Sequence, residues 1–205
     1  MLTAHDDSRG RRAQPARRGD GKRKQQILRA AGEVFHEKGY PAASLDEIAG
    51  RLGMRKSSLY YYVSAKEDLL YELLIAEYEG ATGRLREAMA NGDGIACIER
   101  FIDLMIGHQI EASNYRVSWS EVDTLSLERR TELYGISQHL VNQLERIVAK
   151  GISEGEFRTD VSLRVVVHSL LMVLSAVDAH YERATTTDWC VSLFRAGLLP
   201  AISDR

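Results

Sequence analysis

With 205 residues, 44% of them hydrophobic and 27% charged, the chain has the make-up of an ordinary globular protein of one or two domains. No apolar stretch follows the charges near Met1, and the longest apolar run, Val165 to Val177, is interrupted by His168, Ser169 and Ser175, so neither a secretion signal nor a membrane span is expected and the cytoplasm is the expected location. The formal net charge of −2 hides an asymmetry that points to nucleic-acid contact at one end, because residues 1–66 carry 14 basic and 7 acidic side chains while residues 67–205 carry 13 and 22.

Residues 1–20 are rich in arginine and poor in apolar side chains. Such a segment buries too little surface to offset its ordering entropy, which predicts a disordered basic arm, either a plain solvated tail or an added contact to phosphates or the minor groove. Gly19-Asp20-Gly21-Lys22 is no phosphate loop, since residue 16 is Ala, Arg23 stands where a hydroxyl is needed and no strand precedes it. From Lys22 to Lys38, Ile27, Leu28, Ala31, Val34 and Phe35 recur at helical spacing, and Gly39 ends the helix. Leu45, Ile48, Ala49 and Leu52 mark a second, shorter helix, opened by a Ser44/Glu47 capping box and closed by Gly53. A small polar helix begins at Lys56, with Leu59 and Val63 inward and hydroxyls and a cation outward. Ser64 and Glu67 form a second box, with Lys66 in the first turn of the helix it opens. A helix, a tight glycine turn and a polar helix make a helix-turn-helix, whose second helix enters the DNA major groove.

The segment carrying Gly39-Tyr40, Ser44-Leu45, Ile48-Ala49, Leu52-Gly53-Met54, Ser58 to Val63 and Lys66 to Leu69 resembles the DNA-binding domain of the TetR (tetracycline-repressor) family of bacterial transcriptional regulators. The resemblance departs at Arg55 and Ala43, where the family usually has hydroxyl residues. It implies a DNA-binding domain over 21–66 in which Arg55 adds a cation near the backbone, Lys56, Ser57, Ser58 and Tyr61 face the groove, and Tyr60, Tyr62 and Lys66 reach phosphates. It also implies a helical effector-binding and dimerisation domain over 67–205, with 67–90 as the linking helix. The fold class is therefore all-α, with about nine helices.

Asn91-Gly92-Asp93-Gly94 breaks the chain after the linking helix. Ile95, Ile98, Phe101, Ile102, Met105 and Gln109 then mark a helix, and Tyr115 to Val122 a short irregular one. A long helix runs from Ser126, with the stripe Leu133, Leu140, Leu144, Ile147, Val148 and Ile152, to Gly155. Asp160 opens the next, and Thr187 or Asp188 the last. The stretch Val161 to Ala179 is apolar almost all round, which one subunit does not satisfy; in the family the last two helices pair with their copies in a dimer. Cys97 and Cys190 have no metal or redox spacing and are expected to be buried, reduced thiols.

The six histidines show no H-x-x-x-H spacing, and no phosphate loop or nucleophile elbow is present, so neither an enzyme nor a metal or cofactor site is expected. The expected function is a homodimeric, ligand-responsive repressor that releases a palindromic operator on binding a small hydrophobic effector. Polar or polarisable side chains on apolar faces, Met105, His108, Trp119, Tyr134, His168 and Met172, are the candidate pocket residues. The run Glu121, Leu127 to Arg130 and Gly155 to Phe157 is similar to family members that govern fatty-acid or steroid catabolism and sense acyl-CoA esters. An acyl-CoA is thus one candidate, its phosphates needing cations such as Arg116, Arg129 and Arg130. The alternatives are an uncharged or cationic lipophilic compound, or a protein partner.

Overall fold

The structure, a computed structural model, describes residues 20–90, 92, 94–111, 119–160, 162–177 and 182–198. Among the described residues the chain is wholly helical, as its periodicity predicts, with eight α-helices and one 3-10 helix. In order these are α1 (Asp20–Lys38), α2 (Leu45–Arg51), α3 (Lys56–Leu59), α4 (Lys66–Met89), α5 (Gly94–Glu111), the 3-10 helix (Trp119–Thr124), α6 (Leu127–Ser153), α7 (Leu163–Ser175) and α8 (Arg183–Leu198). The basic arm up to residue 19, residues 91 and 93 of the break, the segment 112–118 with Arg116, and the side chain of Trp119 lie outside the described residues.

Two hydrophobic cores form. Ile27, Ala31 and Val34 of α1 meet Ile48 and Ala49 of α2, Leu59 of α3 and Leu69, Leu70 and Leu74 of α4 in the first. Ala81, Leu85 and Ala88 of α4 meet Ile98, Phe101 and Ile102 of α5, Leu144 and Val148 of α6 and Val167, Leu170 and Leu174 of α7 in the second. Helix α4 therefore belongs to both, with Leu74 fully buried at one end and Leu85 at the other. Each such side chain contributes about 1.5–3 kcal/mol of burial, so α4 is anchored twice. A second connection runs beside it: Val122, Leu125 and Leu133, from the 3-10 helix and the start of α6, are buried in the first core.

Polar contacts fasten the same junction. The Arg129 guanidinium pairs with Asp68 and lies 5.2 Å from the centre of the Tyr71 ring, and Glu67 accepts the backbone N–H of Ser126 at 2.8 Å. This overturns the second capping box. Asp68, not Glu67, accepts the amides of Ser64 (2.7 Å) and Ala65 (2.8 Å), and α4 starts at Lys66 because Glu67 is drawn away to Ser126. Helix α8 also starts earlier than Thr187, since the Glu182 carbonyl already accepts the Thr186 amide at 3.0 Å. At the end of α6 the Phe157 ring lies where a Cβ on Gly151 would stand, 2.3 Å away, so only glycine permits that closure. Cys97 and Cys190 are buried in the second core, and burial pushes the Cys190 thiol up from its ordinary pKa.

Candidate functional site

The helix-turn-helix is built by local rules. Ser44 Oγ accepts the Glu47 amide at 3.3 Å and the Glu47 carboxylate accepts the Ser44 amide at 3.1 Å, which fixes the start of α2. Gly53, at φ +60°, turns the chain, and the Met54 amide returns to the Ala49 carbonyl at 3.0 Å. Helix α3 has one α-turn and continues as a turn through Tyr62, whose amide meets the Leu59 carbonyl at 2.9 Å. Arg55 occupies its N-cap position without a side-chain cap, the consequence of a cation standing where a hydroxyl would accept an amide.

Buried Leu59 and Val63 pin this segment, and Arg55, Lys56, Ser57, Ser58, Tyr60 and Tyr61 are exposed. Tyr61 is 68% exposed, and its ring meets that of Tyr62 edge-on at 5.1 Å. Tyr62 is half-buried against the first core. The Lys56 ammonium is paired with Asp46 of α2 at 2.5 Å, and that hydrogen bond raises its pKa. The Lys66 ammonium donates to the carbonyls of Tyr40 (2.6 Å), Pro41 (3.2 Å) and Ala43 (2.8 Å) and stands 4.3 Å from the centre of the Tyr40 ring. An ammonium has three N–H donors, and here all three are engaged within the protein, so Lys66 clamps the α1–α2 turn.

A cavity of about 400 Å³ opens between α4, α5, α6 and α7. Of the six candidates, the structure brings Met105, Tyr134, His168 and Met172 to its wall, together with Glu77, Tyr78, Ala81, Gln109, Ser137 and neighbouring apolar side chains. Met105 is buried, while Tyr134, His168 and Met172 are exposed and rim an open side. His108 is not among the lining residues; its Nε2 lies 3.2 Å from the Glu77 carboxylate, which also pairs with Arg84 at 3.7 Å. Burial pushes Tyr78 up to about 12, against the lowering effect of its hydrogen bond with Ser137. Sequence reasoning missed Glu77, Tyr78 and Ser137 as wall residues. Gln109 stood in the apolar stripe of α5 as its one amide, a signal of a buried polar position.

Among the described residues no lysine or arginine lines the cavity, and its only carboxylate is the paired Glu77. Arg129 is paired with Asp68, and Arg130 lies 3.5 Å from Asp123. The described residues hold no cluster suited to a metal ion, and no described helix is long and apolar enough to cross a membrane. Along α7 and α8, Val165, Met172, Trp189 and Leu193 are exposed, and Val173, Ala176, Val177, Trp189 and Cys190 line a groove of about 500 Å³.

Residues 27–73 match the model of bacterial regulatory proteins of the tetR family, and residues 93–183 match the tetracyclin repressor-like C-terminal domain. The HTH-type transcriptional repressor KstR2 of Rhodococcus jostii (strain RHA1) is 27% identical over 151 residues, 72% of this chain and 74% of that protein. The fatty acid metabolism regulator protein of Bacillus subtilis (strain 168) is 27% identical over 172 residues, 82% of this chain and 83% of that protein. A similar fold is seen in the crystal structure of AibR in complex with isovaleryl coenzyme A and operator DNA, with a TM-score of 0.72 and 20% identity over 83% of this chain and 97% of that one.

Proposed function

From the premise that this chain belongs to the tetR family of bacterial regulatory proteins and is a DNA-binding transcription regulator, we propose that it is a homodimeric repressor whose operator affinity falls when a small hydrophobic effector enters the cavity beside α4. One observation carries this reading: α4 is a single helix that is buried in the core of the helix-turn-helix and also walls the cavity, through Glu77, Tyr78 and Ala81.

The physical link is differential binding. A dimer reads two successive major grooves only if its recognition helices stand about 34–36 Å apart. An effector that binds better to a conformation with another spacing shifts the population toward it, by its preference for that state and no more. Helix α4 transmits the shift because its two ends are packed into different cores. The Asp68–Arg129 pair and the Glu67–Ser126 bond tie α6, a second cavity wall, to the same start of α4. Dimerisation through α7 and α8 accounts for the exposed Val165, Met172, Trp189 and Leu193, an apolar surface of the kind that a second copy covers.

The effector class rests on the apolar wall and on the relatives. A regulator of fatty acid metabolism and a complex with isovaleryl coenzyme A support an acyl-CoA whose acyl part fills the cavity while its phosphates stay outside. A second reading, an uncharged or cationic lipophile, is favoured by a wall without cations that holds Glu77. Fluorescence anisotropy of an operator complex, titrated with acyl-CoAs, free fatty acids and lipophilic cations, separates them. Release by acyl-CoA and not by the free acid supports the first reading, release by cations alone supports the second, and no release by any of them defeats the effector hypothesis.

A further inference from the structure

Acidic partners are not spread evenly over the cations of the helix-turn-helix domain. Nine lysines and arginines lie between residues 22 and 66. Lys24 pairs with Glu72 of α4 at 2.9 Å, Arg29 with Glu33 at 3.2 Å, Arg51 with Glu37 and Lys56 with Asp46, both at 2.5 Å, and Lys38 with Glu47. Lys66 is held by the carbonyls of the α1–α2 turn. Lys22, Arg23 and Arg55 are left, with no acidic partner among the described residues. These three meet at one place. Lys22 and Arg23 stand in the first turn of α1, and the Arg23 guanidinium donates to Gln26 at 2.9 Å and reaches Met54 Sδ at 3.7 Å, beside Arg55, the residue that opens α3.

The chain enters α1 at that same place. Its first 19 residues carry Arg9, Arg11, Arg12, Arg17 and Arg18 against Asp6 and Asp7, with no lysine or glutamate. Cations gathered without counter-charges repel one another, and a phosphate backbone laid beside them turns the repulsion into attraction. A recognition helix contacts base edges with its N-terminal residues, so the start of α3 is bordered by phosphates when DNA is bound. We infer that the segment before α1 is a second DNA-contact element: Arg17 and Arg18 meet the phosphates bordering the groove read by α3, and Arg9, Arg11 and Arg12 lie in the adjoining minor groove, outside the sequence that α3 reads. Length permits it. An extended chain spans about 3.3–3.6 Å per residue, so the stretch from Asp20 back to Arg12 and Arg9 covers roughly 26–40 Å. The adjoining minor groove is half a helical turn away, about 17 Å along the duplex. Arginine is a side chain that narrow minor grooves attract. The inference rests on the chain being a DNA-binding regulator and not on the effector cavity.

The test compares the full-length chain with a full-length variant carrying Arg9→Gln, Arg11→Gln, Arg12→Gln, Arg17→Gln and Arg18→Gln. The probe is a duplex that the wild type selects from a random pool, made in two lengths: one cut at the outer edges of the half-sites, the other extended by about one helical turn, 10–10.5 base pairs, at each end. In fluorescence anisotropy over a salt series the wild type should bind the long duplex at least about tenfold tighter than the short one, with a slope of log affinity against log salt steeper by about 0.9 for each added phosphate contact. The variant should bind both lengths alike, with the shallower slope, and its thermal midpoint should stay within about 2 °C of the wild type. Equal affinity and slope for wild type and variant on the long duplex make the segment a plain solvated tail and overturn the inference. A loss in the variant that is the same on both duplexes places the contact inside the sequence read by α3 and also overturns it. A midpoint that falls further assigns the arginines to the fold, with the same consequence. If the wild type selects no duplex, the DNA-binding premise falls and takes this inference with it.

Discussion

Replacing Lys66 by methionine keeps the apolar stem and removes the ammonium, and the two roles available to this residue then give opposite results. In the structure the ammonium ties together three consecutive-turn carbonyls, those of Tyr40, Pro41 and Ala43 at 2.6, 3.2 and 2.8 Å, over the face of the Tyr40 ring at 4.3 Å. A hydrogen bond to a charged group is worth about 1.5–3 kcal/mol net, and three bonds to one half-buried ammonium share a single desolvation penalty, so about 2–4 kcal/mol for the whole clamp is a sound expectation. At about 2–4 °C per kcal/mol for a chain of this size, the thermal midpoint of Lys66→Met should fall by roughly 4–16 °C. Circular dichroism melts give that number, and operator anisotropy across a salt series gives the second. A clamp leaves the slope of log affinity against log salt unchanged, whereas loss of a phosphate contact flattens it by about 0.9 per contact. An unchanged melting point together with a flatter slope would refute the clamp and restore the phosphate role.

Ser57→Ala or Tyr61→Ala, on the exposed face of α3, should weaken operator binding by about 1–3 kcal/mol and relax preference at one base position, with the midpoint moving by no more than about 2 °C; systematic base substitution in the operator reads this out. Asp68 has its pKa lowered: burial alone would raise it, but the Arg129 guanidinium and the amides of Ala65 and Ser64 outweigh that. A carboxyl with a lowered folded-state value stabilises fully above its unfolded value of about 4 and loses that contribution as pH falls through the lower folded value. Urea midpoints of the wild type should therefore drop on acidification below about pH 4, and Asp68→Asn should be weaker at neutral pH and flatter over the acid limb. Trp189→Glu combined with Val165→Asp places charges on the exposed apolar surface of α7 and α8 and should give monomers in sedimentation velocity, with operator binding lost; a stable dimer would move the interface elsewhere.

How much was legible in the sequence follows from how local each feature is. The Ser44/Glu47 box and the Gly53 turn depend on neighbours within a few residues, and both stand where the spacing put them. The carbonyl contacts of Lys66 were not legible because its partners lie 23 to 26 residues away across the α1–α2 turn, and periodicity on α4 says nothing of that distance. The Ser64/Glu67 box failed for a similar reason: Ser126, 59 residues on, competes for Glu67. For the cavity, polar or polarisable residues on apolar faces were a usable signal, since Met105, Tyr134, His168 and Met172 meet around it. Glu77 and Tyr78 were not legible as wall residues because the facing side chains of α5, α6 and α7 are distant in sequence, and Tyr78 also packs against the first core. The pairing of Arg129 with Asp68 at the junction joins residues 61 positions apart, which the sequence pattern does not show.

The central claim is that the cavity and the recognition helices share one equilibrium, and calorimetry with anisotropy tests it directly. Operator affinity is measured with and without saturating acyl-CoA, and acyl-CoA affinity is measured for the free protein and for the operator complex. The account predicts that the effector weakens operator binding by about fivefold or more, and that the operator weakens effector binding by the same factor, as linkage requires. Acyl-CoAs, uncharged lipophiles or cations that bind in the cavity with the same affinity whether or not operator is bound would contradict it.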